Sequence, residues 1–171
     1  TSPVPWQTTF LVWHNCGTTA TLYRNGTSIT NNTPQNLAAG AWNFTVIRTD
    51  QTNYSTVFNQ TSFVVNKATL SASLTNDKAW TRNYDGTANS IGYSESNTGD
   101  SDVTYKIYRN NVDRGNSDSV SSAGTYNYVL NSTGGTNYSS SASLDAQTLT
   151  INKIASSVNT YLNNSRQSIT I

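Results

Sequence analysis

Methionine is absent from this sequence of 171 residues, and cysteine and histidine occur once each, as Cys16 and His14. A single cysteine excludes a disulfide within one chain. Charged residues make up 11% of the sequence and the formal net charge is +1, so neither nucleic acid nor an acidic lipid surface is an expected partner. No apolar run is long enough to cross a bilayer as a helix, so the chain is not expected to span a membrane.

The few titratable residues give little support for catalysis or metal binding. His14 and Cys16 are two residues apart, which on a strand would place them on one face, and a Cys–His pair can form a thiolate nucleophile. Nothing nearby resembles an oxyanion hole, so a structural role is favoured, with a buried or capped thiol rather than a bridge to another copy. Glu95, Asp100 and Asp102 could bind Ca²⁺, but a solvated loop is favoured. The sequence predicts no catalytic residue, no metal site and no cofactor.

Neutral polar residues dominate instead. Serine, threonine and asparagine make up roughly two fifths of the sequence, and low hydrophobicity of this kind can indicate disorder. Ten tyrosines, four tryptophans and four phenylalanines argue against disorder, because they recur at strand spacing and each can bury a large apolar area. Threonine and tyrosine favour strands, whereas asparagine and glycine supply turns. The composition is that of an all-β protein.

Two copies of one unit follow each other in the chain, at an offset of 84 to 86 residues. Such internal repetition indicates a repeated structural unit. Four pairs of segments align: TATLYRNGTSIT with VTYKIYRNNVDRG, LAAGAWNFTV with SSAGTYNYVL, TNYS at 52–55 with TNYS at 136–139, and FVVNK with LTINK.

Both copies show the alternation of strands. Residues predicted to share a face are Val103, Tyr105 and Ile107; Tyr126, Tyr128 and Leu130; Leu149 and Ile151; Trp42, Phe44 and Val46; and Phe63 and Val65. Asn25-Gly26 accepts the positive φ of a type I′ turn and predicts a hairpin after Arg24. Short strands separated by turns at this spacing predict a β-sandwich for each copy.

The motifs also resemble a known family. SAGTYNY (122–128) and AAGAWNF (39–45) resemble the turn and start of an immunoglobulin F strand, with Tyr126 at the position of a tyrosine corner. TLYRNGTSI resembles a C strand entering its hairpin, and LTINK resembles a closing G strand and linker. Over nearly the whole chain, the pattern resembles the immunoglobulin-like repeats of large archaeal cell-surface proteins. The resemblance implies two tandem immunoglobulin-like sandwiches that build stalks, sheaths or filaments; the paired cysteines common in such repeats are missing, since Cys16 has no mate.

The two copies of the unit begin at different points. The second copy, 68–153, is predicted to be a complete sandwich, whereas the first, 1–67, lacks a counterpart of the opening stretch ATLSASLTNDKAWTRNYD. The tail, 154–171, aligns with that stretch. We therefore expect the first sandwich to lack its opening hairpin and the chain to carry that hairpin at its other end. The first letters, TSPVPW, contain neither an initiating methionine nor a signal peptide, which predicts a processed protein or a piece of a longer one.

A sandwich without its first strand exposes an apolar groove and an open row of backbone N–H and C=O groups, which is a template for another strand. We expect the tail of another copy to fill it. The predicted donor residues are Val158, Thr160, Leu162, Ile169 and Ile171, with a turn at Asn163-Asn164. The predicted core of the acceptor sandwich consists of Phe10, Val12, Leu22, Trp42, Phe44, Phe63 and Val65.

Strand donation between copies joins a donor end to an acceptor end and produces an open head-to-tail polymer. The sequence therefore predicts a structural subunit of an extracellular, pilus-like filament whose partners are other copies of itself. One alternative is a segment of a longer tandem-repeat stalk, with the missing strand supplied covalently. Another is an adhesin that binds glycans on aromatic platforms, although structural roles are favoured for the four tryptophans, Trp6, Trp13, Trp42 and Trp80.

Asn-x-Ser/Thr sequons are unusually frequent. A single sequon means little in a chain rich in asparagine and threonine, but eight of them favour a secreted glycoprotein at the cell surface. The candidate sites are Asn25, Asn31, Asn43, Asn53, Asn59, Asn131, Asn137 and Asn163.

Overall fold

The computed structural model describes residues 4–5, 9–17, 19–49, 52, 55–162 and 165–170, and the side chains of residues 9, 11–17, 19–49, 52 and 55–160. Within these ranges the regular structure is all strand, so the predicted all-β fold is confirmed, and no helix there could cross a membrane. Two compact units form, each containing a β-sandwich. Unit 1 comprises Thr1–Leu70, Asn97–Val103 and Thr133–Ser140, and unit 2 comprises Ser71–Ser96, Thr104–Ser132 and Ser141–Ile171.

In unit 1, a five-stranded sheet is accompanied by a two-stranded sheet, counting the strands that the structure describes. The larger sheet has the order β1-β7-β6-β3-β4, and the smaller one pairs β2 with β5. The strands are β1 (Val4–Pro5), β2 (Phe10–Val12), β3 (Ala20–Arg24), β4 (Thr27–Ile29), β5 (Thr33–Gln35), β6 (Gly40–Arg48) and β7 (Val57–Asn66).

In unit 2, a five-stranded sheet is accompanied by a three-stranded sheet. The strands are β8 (Ala72–Asn76), β9 (Thr81–Asn83), β10 (Asn89–Glu95), β11 (Tyr105–Arg109), β12 (Val112–Asp113), β13 (Asp118–Val120), β14 (Gly124–Ser132) and β15 (Ser141–Asn152). The sheet orders are β12-β11-β14-β15-β9 and β13-β10-β8. The tail adds β16 (Ser157–Leu162) and β17 (Ser165–Thr170), which pair antiparallel with each other in a two-stranded sheet.

Matching two-residue turns close the hairpins β3–β4 and β11–β12. Asn25 and Gly26 have φ values of 45° and 82°, and Asn110 and Asn111 have φ values of 47° and 67°. Positive φ at both central residues is the geometry of a type I′ turn, as predicted for Asn25-Gly26. The side-chain oxygen of Asn25 also accepts a hydrogen bond of 2.8 Å from the backbone N–H of Asn43, which ties the turn to β6.

The predicted tyrosine corner is present, and the first copy has an equivalent. The hydroxyl of Tyr126 donates a hydrogen bond of 3.0 Å to the carbonyl oxygen of Ser122. In unit 1, the indole Nε1 of Trp42 donates a bond of the same length to the carbonyl oxygen of Ala38. Both bonds reach back four residues, so each fastens the start of a long strand to the turn before it.

Unit 2 has the more completely buried core. Its buried apolar side chains include Ile91, Tyr105, Ile107, Val120, Tyr128, Leu130, Leu149 and Ile151. In unit 1 the buried cluster is Leu37, Phe44 and Val65, with Val12, Ile29, Trp42 and Phe63 packed against it. Val46 on β6 is only partly buried, whereas Leu130, at the same position of β14, is 0% exposed. The two cores therefore differ in burial at the place that β8 covers in unit 2.

The strand β1 changes one expectation. The sequence alignment predicts that unit 1 lacks the whole opening hairpin. However, β1 lies parallel to β7, with Val4 beside Val65. In the same way β9 lies parallel to β15 in unit 2, with Arg82 beside Ile151. Pro5 is tolerated there because β1 is an edge strand, where a missing N–H costs little. The described part of unit 1 therefore lacks only a counterpart of β8.

Replacing Tyr126 by phenylalanine removes the hydroxyl that bonds to Ser122 and keeps the ring. We expect Tyr126→Phe to lower the free energy of unfolding by about 1 kcal/mol in chemical denaturation. Tyr84→Phe is the matched control, because Tyr84 is exposed and a surface change of this kind costs at most about 0.5 kcal/mol. Equal effects of the two substitutions would contradict a stabilising corner.

Candidate functional site

The backbone that runs from the end of β2 through residue 16 is paired on one side only. The side-chain amide of Asn31 accepts a hydrogen bond of 2.8 Å from the His14 N–H and donates one of 3.1 Å to the His14 carbonyl. The Val12 carbonyl accepts a hydrogen bond of 3.1 Å from the neighbouring Asn32 N–H, so the backbone groups of Trp13, between Val12 and His14, are directed to the opposite side. No strand pairs with that side within the described residues. Residues 12–16 are termed the open edge.

A groove of about 410 Å³ lies between the open edge and the larger sheet of unit 1. The side chains of Leu22 and Phe44, which are buried, and of Val46, which is partly buried, line its apolar base. Residues 57–61 of β7 line its other side. The groove therefore combines partly or largely exposed apolar side chains, Val46 and Val57, with unpaired backbone, which is the environment that an added strand requires.

In unit 2, β8 occupies the corresponding place. It pairs antiparallel with β10 and contacts β14 and β15 of the larger sheet. Its inward side chains Ala72 and Leu74 are buried, Leu74 to 7% exposure. The backbone N–H of Leu74, on the side away from β10, donates a hydrogen bond of 2.8 Å to the carboxylate of Asp145 on β15. The strand thus covers the core, and a side chain of β15 satisfies its outer backbone group.

The strand registers identify the corresponding residues of the two units. β2 pairs with β5 through three residue pairs, and β10 pairs with β13 through three as well. The last pair contains Val12 in unit 1 and Ile91 in unit 2, so these two residues correspond. Residues 12–16 therefore correspond to residues 91–95, the part of β10 that pairs with β8. The open edge of unit 1 is the position that carries a partner strand in unit 2.

Asn59 in unit 1 corresponds to Asp145 in unit 2. Asn59 pairs with Val46 on β6, and Asp145 pairs with Leu130 at the same position of β14. Asn59 is exposed and lines the groove. Its side-chain oxygen is a hydrogen-bond acceptor, so it can receive the outer N–H of an inserted strand as Asp145 receives that of Leu74.

Large apolar side chains are exposed around the groove. Trp13 is 64% exposed and Val57 is also exposed, whereas Phe58, 72% exposed, alternates with Val57 and Asn59 and so directs its side chain to the outer face of β7. At the position of Val57, β15 of unit 2 has the polar Ser143, and at the position of Phe58 it has Leu144, which is partly buried. Apolar side chains grouped beside an unpaired backbone edge are typical of an interaction surface.

The predicted acceptor residues lie in the sandwich of unit 1. Those with described side chains are buried or pack against the core: Val12, Leu22, Trp42, Phe44, Phe63 and Val65. Three of them, Val12, Leu22 and Phe44, also line the groove. Phe10 belongs to β2, but its side chain lies outside the described residues.

The predicted donor residues lie on the tail hairpin. Val158 on β16 stands opposite Ile169 on β17. The side chain of Val158 is 52% exposed, and that of Thr160 is exposed as well. Leu162 ends β16, but its side chain and that of Ile169 lie outside the described residues, as do the predicted turn at 163–164 and Ile171.

The residues considered for catalysis and metal binding have structural partners. Nδ1 of His14 accepts a hydrogen bond of 3.3 Å from the backbone N–H of Cys16. The sequence predicts a buried or capped thiol for Cys16, and the predicted burial is wrong: the residue is exposed, because no described strand covers the open edge. The carboxylate of Asp102 accepts hydrogen bonds of 2.6 Å from the hydroxyl and the N–H of Thr136, which lower its pKa. The described residues contain no group of His, Cys, Asp and Glu suited to a metal ion.

The tryptophans with described side chains occupy three different environments. Trp42 packs against the core of unit 1, Trp80 lies 6.2 Å from the ring of Tyr128 within unit 2, and Trp13 lines the groove. Trp6 lies outside the described residues. The exposed ring among these three is therefore at the groove.

The sequon asparagines also differ in their surroundings. Exposed are Asn25, Asn31, Asn43 and Asn59; partly buried are Asn131 and Asn137; Asn53 and Asn163 lie outside the described residues. Asn137 is already used within unit 1, where its side-chain oxygen accepts a hydrogen bond of 3.0 Å from the N–H of Ala39. Asn59 combines a sequon with a place in the groove.

Three groove residues have no distinctive local signal in the sequence: Trp13, Val57 and Asn59. The repeat itself contains the signal for two of them, because the offset of 86 residues aligns Val57 with Ser143 and Asn59 with Asp145. An apolar residue in place of a polar one at an exposed position of a sandwich indicates a surface that acquires a cover.

No family model matches the sequence, and no curated protein is similar to it. Among solved structures, the chain is similar to the fibronectin(III)-like modules of Clostridium thermocellum CbhA. The two are 12% identical, the similarity covers 89% of this chain and 92% of that one, and the TM-score is 0.37. A similarity this distant assigns no function to the chain.

The contribution of a strand at this position to the free energy of unfolding can be measured in unit 2. Leu74→Ala is expected to lower the free energy of unfolding by about 2–5 kcal/mol, because Leu74 is buried between β8 and the larger sheet. Ser73→Ala, an exposed position on the same strand, is expected to change it by no more than about 0.5 kcal/mol. Chemical denaturation measures both, and a Leu74→Ala effect as small as the control would show that the core does not need β8.

Proposed function

We propose that the protein is a structural subunit of an extracellular surface filament, in which the tail of one copy completes unit 1 of the next copy. One observation carries the proposal: the same site occurs twice in the chain. In unit 2 it is filled by β8, and in unit 1 it is open within the described residues. The segment that aligns with β8 lies in the tail, as the first strand of the hairpin β16–β17.

The energetics of insertion favour this pairing. Val158 is half exposed on the hairpin, and burying a side chain such as Val158 or Leu162 contributes about 1.5–3 kcal/mol. Because β16 is already extended and paired with β17, part of the entropy of ordering a strand is lost before the copies meet. Insertion also covers Val46, which is partly exposed in unit 1.

The contact joins two different surfaces, a hairpin and a groove, so it repeats from copy to copy and produces a linear polymer unless it closes into a ring. It uses backbone hydrogen bonds and apolar burial, and hence it needs no cofactor and no enzymatic step. Among the tryptophans with described side chains, Trp13 is the exposed one and lies beside the groove. This supports assembly over a glycan-binding adhesin, for which a cluster of exposed tryptophans is expected.

The surroundings of the filament are part of the proposal. The resemblance to immunoglobulin-like repeats of archaeal cell-surface proteins supports a place outside the cell. The exposed sequons at Asn25 and Asn43 support N-glycans on the outer surface, where they would protect a polar, threonine-rich protein from proteolysis.

The tandem repeat itself favours a second candidate function. If the chain is a segment of a longer surface stalk, residues that precede it would supply the missing strand covalently. Both candidates fill the groove with a strand, but only the filament uses the tail of another copy.

Deleting residues 154–171 separates the two candidates. We expect the full chain to form long particles in light scattering and negative-stain electron microscopy, and the truncated chain to remain monomeric. A synthetic 154–171 peptide should cap growth of the full chain. If both proteins stay monomeric with equal stability, the stalk is favoured, and if both polymerise equally, the tail is not the donor.

A matched pair of substitutions tests the direction of the donor side chains. Val158→Asp places a charge where the strand must enter an apolar groove, and is expected to abolish particle growth. Ser157→Asp places the same charge one residue earlier, on the opposite face of β16, and is expected to leave growth unchanged. Equal behaviour of the two variants would contradict insertion of β16 with Val158 facing the groove.

Glycan mapping provides an independent test. Because Asn59 lines the groove, a glycan there would obstruct an inserted strand, so we expect assembled protein to carry no glycan on Asn59 while exposed sequons such as Asn43 are occupied. Glycopeptide mass spectrometry of assembled material measures the occupancy. A fully occupied Asn59 in polymer would contradict the use of this groove.

A further inference from the structure

We infer that β16 enters the groove of the next copy in a single register, with Val158 opposite Cys16, Thr160 opposite His14 and Leu162 opposite Val12. This inference rests on the proposed function and assigns the contacts of the same site. The repeat and the unit 2 sandwich specify the register independently of any donor chemistry, and the residue types along the two strands then agree with it.

The register follows from the filled site. In unit 2, Ala72 stands opposite Glu95, Leu74 opposite Tyr93, and Asn76 opposite Ile91. The tail aligns with the opening stretch at an offset of 86 residues. Positions 158, 160 and 162 of the tail therefore correspond to positions 72, 74 and 76 of β8. Because residues 91–95 correspond to the open edge, Ile91 corresponds to Val12, Tyr93 to His14, and Glu95 to Cys16.

The five resulting pairs match in chemistry. Two apolar residues meet, two aromatic residues meet, two polar residues meet, two amides meet, and an aliphatic residue meets the thiol. The pairs are Val12 with Leu162, Trp13 with Tyr161, His14 with Thr160, Asn15 with Asn159, and Cys16 with Val158. Pairs of this kind are the units that stabilise neighbouring strands.

Neighbouring registers lose this match. A shift of two residues in one direction would place Leu162 opposite His14 and Tyr161 opposite Asn15. A shift of two in the other direction would place Val158 opposite His14 and Asn159 opposite Trp13. A shift of one residue would direct Asn159 and Tyr161 into the apolar groove, since alternate residues face opposite sides.

Unit 1 also provides a hydrogen-bond acceptor for the outer backbone N–H of the inserted strand. In unit 2 the N–H of Leu74 is satisfied by Asp145. In the inferred register Thr160 takes the position of Leu74, and Asn59 takes that of Asp145, so the side-chain oxygen of Asn59 accepts the N–H of Thr160.

The native thiol of Cys16 can report the register directly. In unit 2 the N–H of Leu74 is directed away from β10, whereas that of Asp77 bonds to the Ser90 carbonyl. By alternation, Ala72 and Glu95 form a pair without mutual backbone hydrogen bonds. Such pairs have Cα atoms about 4.5 Å apart, within the roughly 4.4–6.8 Å that a disulfide spans. The corresponding pair is Cys16 with Val158.

The test is a cysteine scan along β16 in the full chain, with assembly under mild oxidation by copper–phenanthroline and dioxygen, read on non-reducing gels. Ser156→Cys, Val158→Cys and Thr160→Cys each report one register, and Asn159→Cys reports the opposite face. Val158→Cys is expected to give a ladder of linked chains, on the order of tenfold stronger than the other three, because only this pair satisfies disulfide geometry. The ladder should vanish when Cys16→Ser is added.

Other outcomes separate the register from the proposed function. A ladder strongest with Ser156→Cys or Thr160→Cys would overturn the register and leave strand donation standing. Filaments that need residues 154–171 but show no linkage from any of the four variants would overturn pairing with the open edge. A full chain that neither assembles nor cross-links would overturn both the register and the proposed function.

Discussion

Coverage of one apolar core by two sheets is the constraint on which the rest of this structure depends. A sandwich is stable when each sheet buries the inner face of the other. In unit 2 the three-stranded sheet meets this requirement, and residues such as Leu130 are fully buried. In unit 1 the described smaller sheet has two strands, and the groove, with the exposed Trp13 beside it, lies where the third would be.

Local features of the fold could be predicted from the sequence because their causes are local. Asn25-Gly26 accepts positive φ with little regard to its surroundings, and the corner at Tyr126 depends on a residue only four positions away. The repeat revealed that a strand was missing, because alignment needs no coordinates. What the repeat could not reveal is that Val4–Pro5 takes the place of β9, since two residues are too short for any periodicity.

The site itself was harder to predict, for a physical reason. The groove is lined by residues from four strands or loops that are distant in sequence, so only the pairing of β6 with β7 brings Val46 beside Asn59. Exposure is likewise a property of the fold: Phe58 has the residue type of a core position, and only the sheet shows it directed to solvent. The acceptor core was predictable because alternation marks it; the rim was not.

The covalent attachment of β8 has a consequence for the number of partners that one molecule can hold. The strand β8 is joined to its own sandwich through the chain that continues into β9 and β10, so it competes at an effective concentration in the millimolar range. A free hairpin in dilute solution cannot displace it, although the two sites have the same architecture. In the proposed assembly each molecule would therefore offer one groove and one hairpin, and a filament built from such units would elongate without branching.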